Sequence, residues 1–311
     1  MLAATLLALW ATDAALPPRD DDLSTRRIAP LVRHACAPAA IRWPTKTHAD
    51  ALLLFSRSRR CMQRWLLFRS WRRYFQFEII SEAPLDPSAT YVYGAHPHGV
   101  FPIGQWLSVP YSCDPAADPT DAAVLAALPT RMRGAVASVL LHVPLLRHLM
   151  AWAGMAPAAK DTVRRLLGRG ISVVLIPGGI AEIFHSSPDK EVVLLKKRLG
   201  FVRAAVAAGV PLVPIYCFGN TAAFHCARLP DGLAALSRAL RVSLVCFWGR
   251  GGLPLPFRTK LLVVVGQPLA LRPGESAEEL HARYIEALTA LFDRHKARMG
   301  PAWAAKQLHV V

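Results

Sequence analysis

The chain has 311 residues, enough for one large α/β domain or two small ones, and ample to bury a core. Hydrophobic residues make up 53% of it and charged residues only 19%, so part of its apolar surface is expected to meet something other than water. Lys+Arg 37 against Asp+Glu 21 leaves a net charge of +16; with no aromatic-interleaved RNA-binding signature, the anionic partner expected is a phospholipid surface or a phosphorylated cofactor, not nucleic acid.

Along the chain, Leu2 to Leu16 is apolar but broken by Asp13, and it is shorter than the roughly 20 residues that span a bilayer. It lacks the basic lead of a secretory signal; a surface anchor and the remnant of a longer hairpin both stay open. Residues 1–55 read as a flexible leader, with Pro17 to Asp50 rich in Pro, Arg and Asp. A basic amphipathic segment is expected over 56–80. It holds Arg57, Arg59, Arg60, Arg64, Arg69, Arg72 and Arg73 among Trp65, Leu66, Leu67, Phe68 and Trp71. Such a run suits a helix lying in the headgroup plane of an anionic membrane, or one packing its aromatics on the following domain.

Strand–helix alternation then predicts an α/β domain over 81–300 with a mostly parallel central sheet flanked by helices, followed by a C-terminal tail over 301–311. Strands are expected at Thr90–Ala95, Ile171–Ile176, Pro211–Phe218 and Leu261–Gly266. A helix is predicted over Leu195–Ala208, closed by Gly209. The last helix opens with a Ser276/Glu279 capping box and buries Leu280, Ile285, Leu288, Leu291 and Phe292. The six cysteines (Cys36, Cys61, Cys113, Cys217, Cys226, Cys246) include no C-x-x-C pair, so free thiols in a reducing compartment are expected.

Three constellations carry chemistry. His96-Pro97-His98-Gly99 follows the first predicted strand, at the strand end where open α/β sheets bind ligands. An imidazole there can take a proton from an alcohol at neutral pH, or the pair can simply close a turn. A metal pair would require further ligands at other strand ends. Those ends read Pro177-Gly178-Gly179, Phe218-Gly219-Asn220 and Gly266-Gln267-Pro268, which supply none. Pro177-Gly178-Gly179-Ile180-Ala181-Glu182 is the second constellation: two glycines allow close backbone approach to a polar oxygen, and the absence of Gly-Lys-Ser/Thr argues against a nucleotide loop. The third is the basic run Lys196, Lys197, Arg198 and Arg203 around Gly200-Phe201, which suits phosphate or a solvated face equally.

In this order the blocks resemble the diacylglycerol acyltransferase type 2 family, which includes monoacylglycerol and wax-alcohol acyltransferases. His96–Gly99 matches its His-Pro-His-Gly block and Gly178-Gly179-Ile180-Ala181-Glu182 its Gly-Gly-x-x-Glu block. Its long Arg-x-Gly-Phe block runs from Arg198 through Gly200, Phe201, Arg203 and Pro214 to Phe218-Gly219. The resemblance covers residues 72 to 300, with Gln76 where the family has Pro and Asn220 where it has Glu or Gln.

The resemblance implies a glycerolipid-acyltransferase-like fold and transfer of a fatty acyl group from acyl-CoA to diacylglycerol. Monoacylglycerol, a long-chain alcohol and phytol stand as other acceptors, and a metal-dependent hydrolase as the rival class. It implies His96 or His98 as general base, with Glu182 holding the base or the acceptor. Gly99, Gly178 and Gly179 would position the substrate or its oxyanion, and Lys197, Arg198, Gly200, Phe201 and Arg203 would grip acyl-CoA. No cofactor is expected beyond the acyl-CoA substrate. The expected setting is an anionic membrane surface, at the cytosolic face of the endoplasmic reticulum or on lipid droplets. Oligomeric state is not legible.

Overall fold

The computed structural model describes residues 66–108, 119–128, 131–141, 153–183, 190–227 and 246–311, with positions 147, 150 and 185. The predicted leader, residues 56–65 of the basic segment, and Cys36, Cys61 and Cys113 lie outside them.

In chain order the elements are α1 (Leu66–Tyr74), β1 (Glu78–Ser81), β2 (Val92–His96), α2 (Ile103–Leu107), α3 (Pro119–Ala127), β3 (Met132–Val136) and β4 (Ala156–Pro157). Then come α4 (Lys160–Leu167), β5 (Ser172–Leu175), α5 (Gly179–Ile183), β6 (Glu191–Val193), α6 (Gly200–Ala208) and β7 (Leu212–Phe218). The chain ends with β8 (His225–Cys226), β9 (Phe247–Trp248), β10 (Leu262–Val265), α7 (Ala277–His295), α8 (Pro301–Ala304) and β11 (Leu308–Val310).

A seven-stranded sheet runs β1-β10-β7-β2-β5-β3-β4. From β7 to β4 every neighbouring pair is parallel; β10 runs against β7, and β1 runs with β10. The mixed α/β fold with a mostly parallel sheet expected from the alternation is therefore present. All seven residues of β7 and all four of β10 are buried, as continuous apolar strands covered on both faces require.

Period-2 alternation sorts the strand residues into two cores. Tyr93, Ala95, Val213, Ile215, Cys217, Val263 and Val265 face one side, with Phe75, Ile103 and Phe224. Val92, Leu212, Tyr216, Phe218, Leu262 and Val264 face the other, under Leu280, Tyr284, Leu288, Leu291 and Phe292 of α7. The Ser276/Glu279 capping box that starts α7 is formed in both directions.

Two local expectations need correcting. The helix predicted from Leu195 begins at Gly200; Leu195–Arg198 form a turn instead, with the Arg198 N–H donating to the Leu195 carbonyl at 2.9 Å. Leu194 donates to Glu182 at 3.1 Å, and Leu195 and Lys196 both donate to the Val311 carbonyl. Gly209 does close the helix, in a left-handed conformation (φ 63°). Residues 301–311, expected as a tail, carry α8 and β11, and β11 pairs in parallel with β6.

Of the basic segment, α1 is docked on the fold. Trp71 and Tyr74 pack against the first core, and the buried Arg72 guanidinium donates from Nε and Nη2 to the Leu107 carbonyl at 3.0 and 2.6 Å. Arg73 is exposed. Among the described residues no helix is long and apolar enough to cross a membrane. Of the described cysteines, Cys217, Cys226 and Cys246 are free thiols.

Candidate active site

Because β5, β2 and β7 are parallel neighbours, their carboxyl ends open on one edge of the sheet. The segments that follow them, His96–Gly99, Ile176–Gly179 and Gly219–Asn220, therefore gather there. The peptide bond between His96 and Pro97 is cis.

His96 is the last residue of β2 and is fully buried. Its Nε2 lies 3.2 Å from the Tyr284 hydroxyl, and that hydroxyl donates to the Gly94 carbonyl at 2.8 Å. The phenol has one proton and uses it on a carbonyl, so it accepts from His96; the ring is thus assigned the tautomer protonated at Nε2. Among the described residues its buried Nδ1 has no hydrogen-bond partner. Burial pushes the imidazole's proton affinity down to about 3, so His96 stays neutral at any physiological pH.

His98 sits at the rim and is only half-buried. Its Nδ1 donates to the Gly99 carbonyl at 2.8 Å, which leaves the lone pair on Nε2. Burial lowers its pKa, an effect that the Gly99 carbonyl partly offsets. A neutral imidazole with one nitrogen anchored and the other holding a lone pair has the form of a general base.

Glu182, in the first turn of α5, is fully buried. Its carboxylate accepts the His98 backbone N–H at 2.6 Å and the Leu194 N–H at 3.1 Å. It thereby ties the histidine turn to the strand end that leads into the basic loop. Burial pushes its pKa up to about 7, against the pull of those two N–H groups and of Arg198. Gly178 makes room for it: a Cβ there would lie 2.5 Å from the Glu182 carboxyl. Gly179 has φ 55° and donates its N–H to the Ile176 carbonyl at 3.1 Å. That N–H is committed within the turn.

Asn220, just after β7, locks the turn from the other side. Its amide donates to the His98 carbonyl at 2.9 Å and reaches the Pro97 carbonyl at 3.4 Å. Its Oδ1 accepts from Gly104 N–H at 3.3 Å. Gln105 adds a bond to the Pro97 carbonyl at 2.9 Å. Gly99 at φ 60° lies so close that a Cβ would meet the Asn220 amide nitrogen at 2.7 Å.

The acyl-CoA candidates divide. Lys196, Lys197 and Arg198 are exposed on the loop leaving β6, and Gly200, also exposed, opens α6. Arg203 lies further along α6 and pairs with Glu278 at 3.1 Å on the surface. Phe201 is not available to a ligand; it is buried against Tyr284 and His281, with ring centroids 5.1 and 6.2 Å away.

Sequence reasoning missed two residues. Asn220 looked like the loss of an acid, yet its two-way amide bonds three backbone groups. Tyr284 is absent from the stripe read in its helix; the available signal is that a buried phenol needs a polar partner. Among the described residues no group of three or more His, Cys, Asp or Glu is arranged to hold a metal ion.

A family model described as diacylglycerol acyltransferase matches residues 52–309. Diacylglycerol O-acyltransferase 2-like protein 6 of Bos taurus is 31% identical over 265 residues, covering 77% of this chain and 76% of that protein. 2-Acylglycerol O-acyltransferase 1 of Bos taurus is 31% identical over 262 residues, covering 77% and 75%. Diacylglycerol O-acyltransferase 2 of Homo sapiens is 29% identical over 262 residues, covering 77% and 65%. Among solved structures, the 1-acyl-sn-glycerophosphate acyltransferase PlsC from Thermotoga maritima aligns at a TM-score of 0.47 with 13% identity, over 78% of this chain and 81% of that one. The chain belongs to the diacylglycerol acyltransferase family and is an acyltransferase.

Proposed function

We propose that the protein transfers a fatty acyl group from acyl-CoA to the free hydroxyl of diacylglycerol, with His98 as the general base. The observation that carries this reading is the His98 imidazole, anchored through Nδ1 to the Gly99 carbonyl with its Nε2 lone pair at the sheet's rim. The acceptor oxygen attacks the thioester carbonyl while its proton passes to Nε2. The tetrahedral oxyanion then collapses, the C–S bond breaks, and the coenzyme A thiolate takes the proton back from the imidazolium. His96, held by Tyr284, fixes the strand end from which the turn departs, and Glu182 holds the His98 backbone in place. The exposed Lys196, Lys197 and Arg198 suit the phosphates of coenzyme A.

A diacylglycerol resides in a bilayer, so the reaction belongs at a membrane surface, on the cytosolic face of the endoplasmic reticulum or on lipid droplets. Monoacylglycerol is the second acceptor to weigh, because a relative named 2-acylglycerol O-acyltransferase 1 is 31% identical. The test is a competition. Purified protein receives palmitoyl-CoA with diacylglycerol, monoacylglycerol and a long-chain alcohol in mixed micelles, and products are separated by chromatography. Triacylglycerol is expected to dominate; a dominant diacylglycerol or wax-ester product would reassign the acceptor.

A further inference from the structure

An apolar cavity of about 470 Å³ lies on the opposite face of the sheet from the basic loop. Its walls include Trp71, Phe75, Phe101, Ile103, Phe224 and Leu255. Phe75, Ile103 and Phe224 belong to the first core, whereas Leu195 and Phe201, which bracket the Lys196–Arg198 loop, belong to the second. The histidine turn stands at the edge between them.

The cavity also starts close to the turn. Phe101 is three residues past His98, a stretch that reaches at most about 11 Å. Asn220, bonded to the His98 carbonyl, leads into Phe224 through the short 3₁₀ turn Asn220–Ala223. Of the polar side chains at the lining, the Tyr74 hydroxyl donates to the Pro256 carbonyl at 2.7 Å, and Arg250 is exposed. What remains is hydrocarbon and aromatic wall, which favours a chain without polar groups. A cavity of this volume is roomy enough for an extended hydrocarbon chain.

We propose that the acyl donor straddles the edge of the sheet, its coenzyme A on the Lys196–Arg198 loop of one face and its fatty acyl chain in the Trp71/Phe101/Phe224/Leu255 cavity of the other. The thioester then falls at the turn between them, beside His98. This rests on the reading of the protein as an acyl-CoA transferase. A linear molecule that is phosphorylated at one end and hydrocarbon at the other matches a cationic face and an apolar face joined by one edge. Both ends of the donor find complementary ground only if it crosses there.

The direct test uses the wild-type protein and palmitoyl-CoA carrying a photoactivatable diazirine at the chain terminus. Illumination followed by peptide mapping is expected to place the label on peptides containing Trp71, Phe224 or Leu255. Label on α4 or α6 would overturn the proposal. A second arm uses Leu255→Trp, which fills the cavity, and Trp71→Ala, which enlarges it. Each methylene buried is worth about fourfold, so Leu255→Trp should lower the ratio of kcat/KM for palmitoyl over octanoyl donors by about tenfold or more. Trp71→Ala should move the optimum toward longer donors. If either folded variant instead alters preference among acceptors of different chain length and leaves the donor profile unmoved, the cavity holds the acceptor and the proposal fails. Absence of any thioester turnover in the wild type would sink the transferase reading itself, a result distinct from turnover with an unmoved donor profile.

Discussion

Glu182→Gln separates stability from catalysis at this site. The wild-type carboxylate accepts two backbone N–H groups, from His98 and Leu194. The Gln side chain keeps one acceptor oxygen and turns an NH2 toward the other donor, which costs about 1–3 kcal/mol. Against that, the substitution removes a buried carboxylate whose pKa is pushed from 4.5 to about 7, a penalty of about 3 kcal/mol at roughly 1.4 per tenfold. The terms offset, so at about pH 8 the variant should unfold within about 2 kcal/mol of wild type.

The pH dependence has a fixed sign. The folded protein binds the Glu182 proton more tightly than the unfolded chain, so the group's contribution to stability is fullest below about pH 4.5 and falls as pH rises through about 7. The difference in unfolding free energy, wild type minus variant, should therefore decrease by about 3 kcal/mol across that window. Activity should move the opposite way. Ionised Glu182 anchors both N–H groups, while His98, its pKa lowered by burial, is already neutral. Wild-type kcat should then rise through about pH 7, and Glu182→Gln should lose that limb and run about 10²-fold slower through misplacement of His98. Urea unfolding across pH and a thiol-release assay on the same samples measure both. A stability difference that grows with pH, or a Gln variant that retains the wild-type pH profile, would refute the reasoning.

Tyr284→Phe takes the acceptor from the buried His96 Nε2–H and removes one donor to the Gly94 carbonyl; chemical denaturation should show a loss of about 1–3 kcal/mol, and kcat should fall more than KM changes. Gly99→Ala meets both a left-handed backbone and the Asn220 amide, so it should cost about 1–2 kcal/mol from the backbone alone and lower kcat, as thermal unfolding beside turnover would reveal. Lys306→Met removes the ion-pair partner, at 3.3 Å, of the fully buried Glu191. Tyr216 and Thr221 still donate to that carboxylate, so the expected loss is about 2 kcal/mol, read by urea unfolding with acyl-CoA KM unmoved.

The parts of the fold that could be read from sequence are those held by local pattern. Ser276 and Glu279 signalled their cap from three residues apart, and β7 and β10 announced themselves as unbroken apolar runs. Long-range partners were not legible. Nothing near Glu182 indicates that its carboxylate takes a backbone N–H from a residue 84 positions earlier. The start of α6 lies later than the local pattern indicates, because Leu195 and Lys196 prolong the pairing of β6 with the far end of the chain through Val311. For the same reason residues 301–311 read only as a tail: three-residue β11 exists because β6 lies beside it. Phe201 belongs to a motif whose family resemblance implies a ligand contact, yet it fills the core beside Tyr284. The cavity beside the turn draws its walls from residues 71 to 256, a span over which no periodicity operates.

The most direct measurement is the single-turnover rate of coenzyme A release from palmitoyl-CoA and diacylglycerol by folded wild type and His98→Ala. With Nε2 of His98 receiving the acceptor's proton, the variant should be slower by about 10²–10⁴-fold at unchanged acyl-CoA affinity. A folded His98→Ala protein that releases coenzyme A within a few-fold of the wild-type rate would contradict the account.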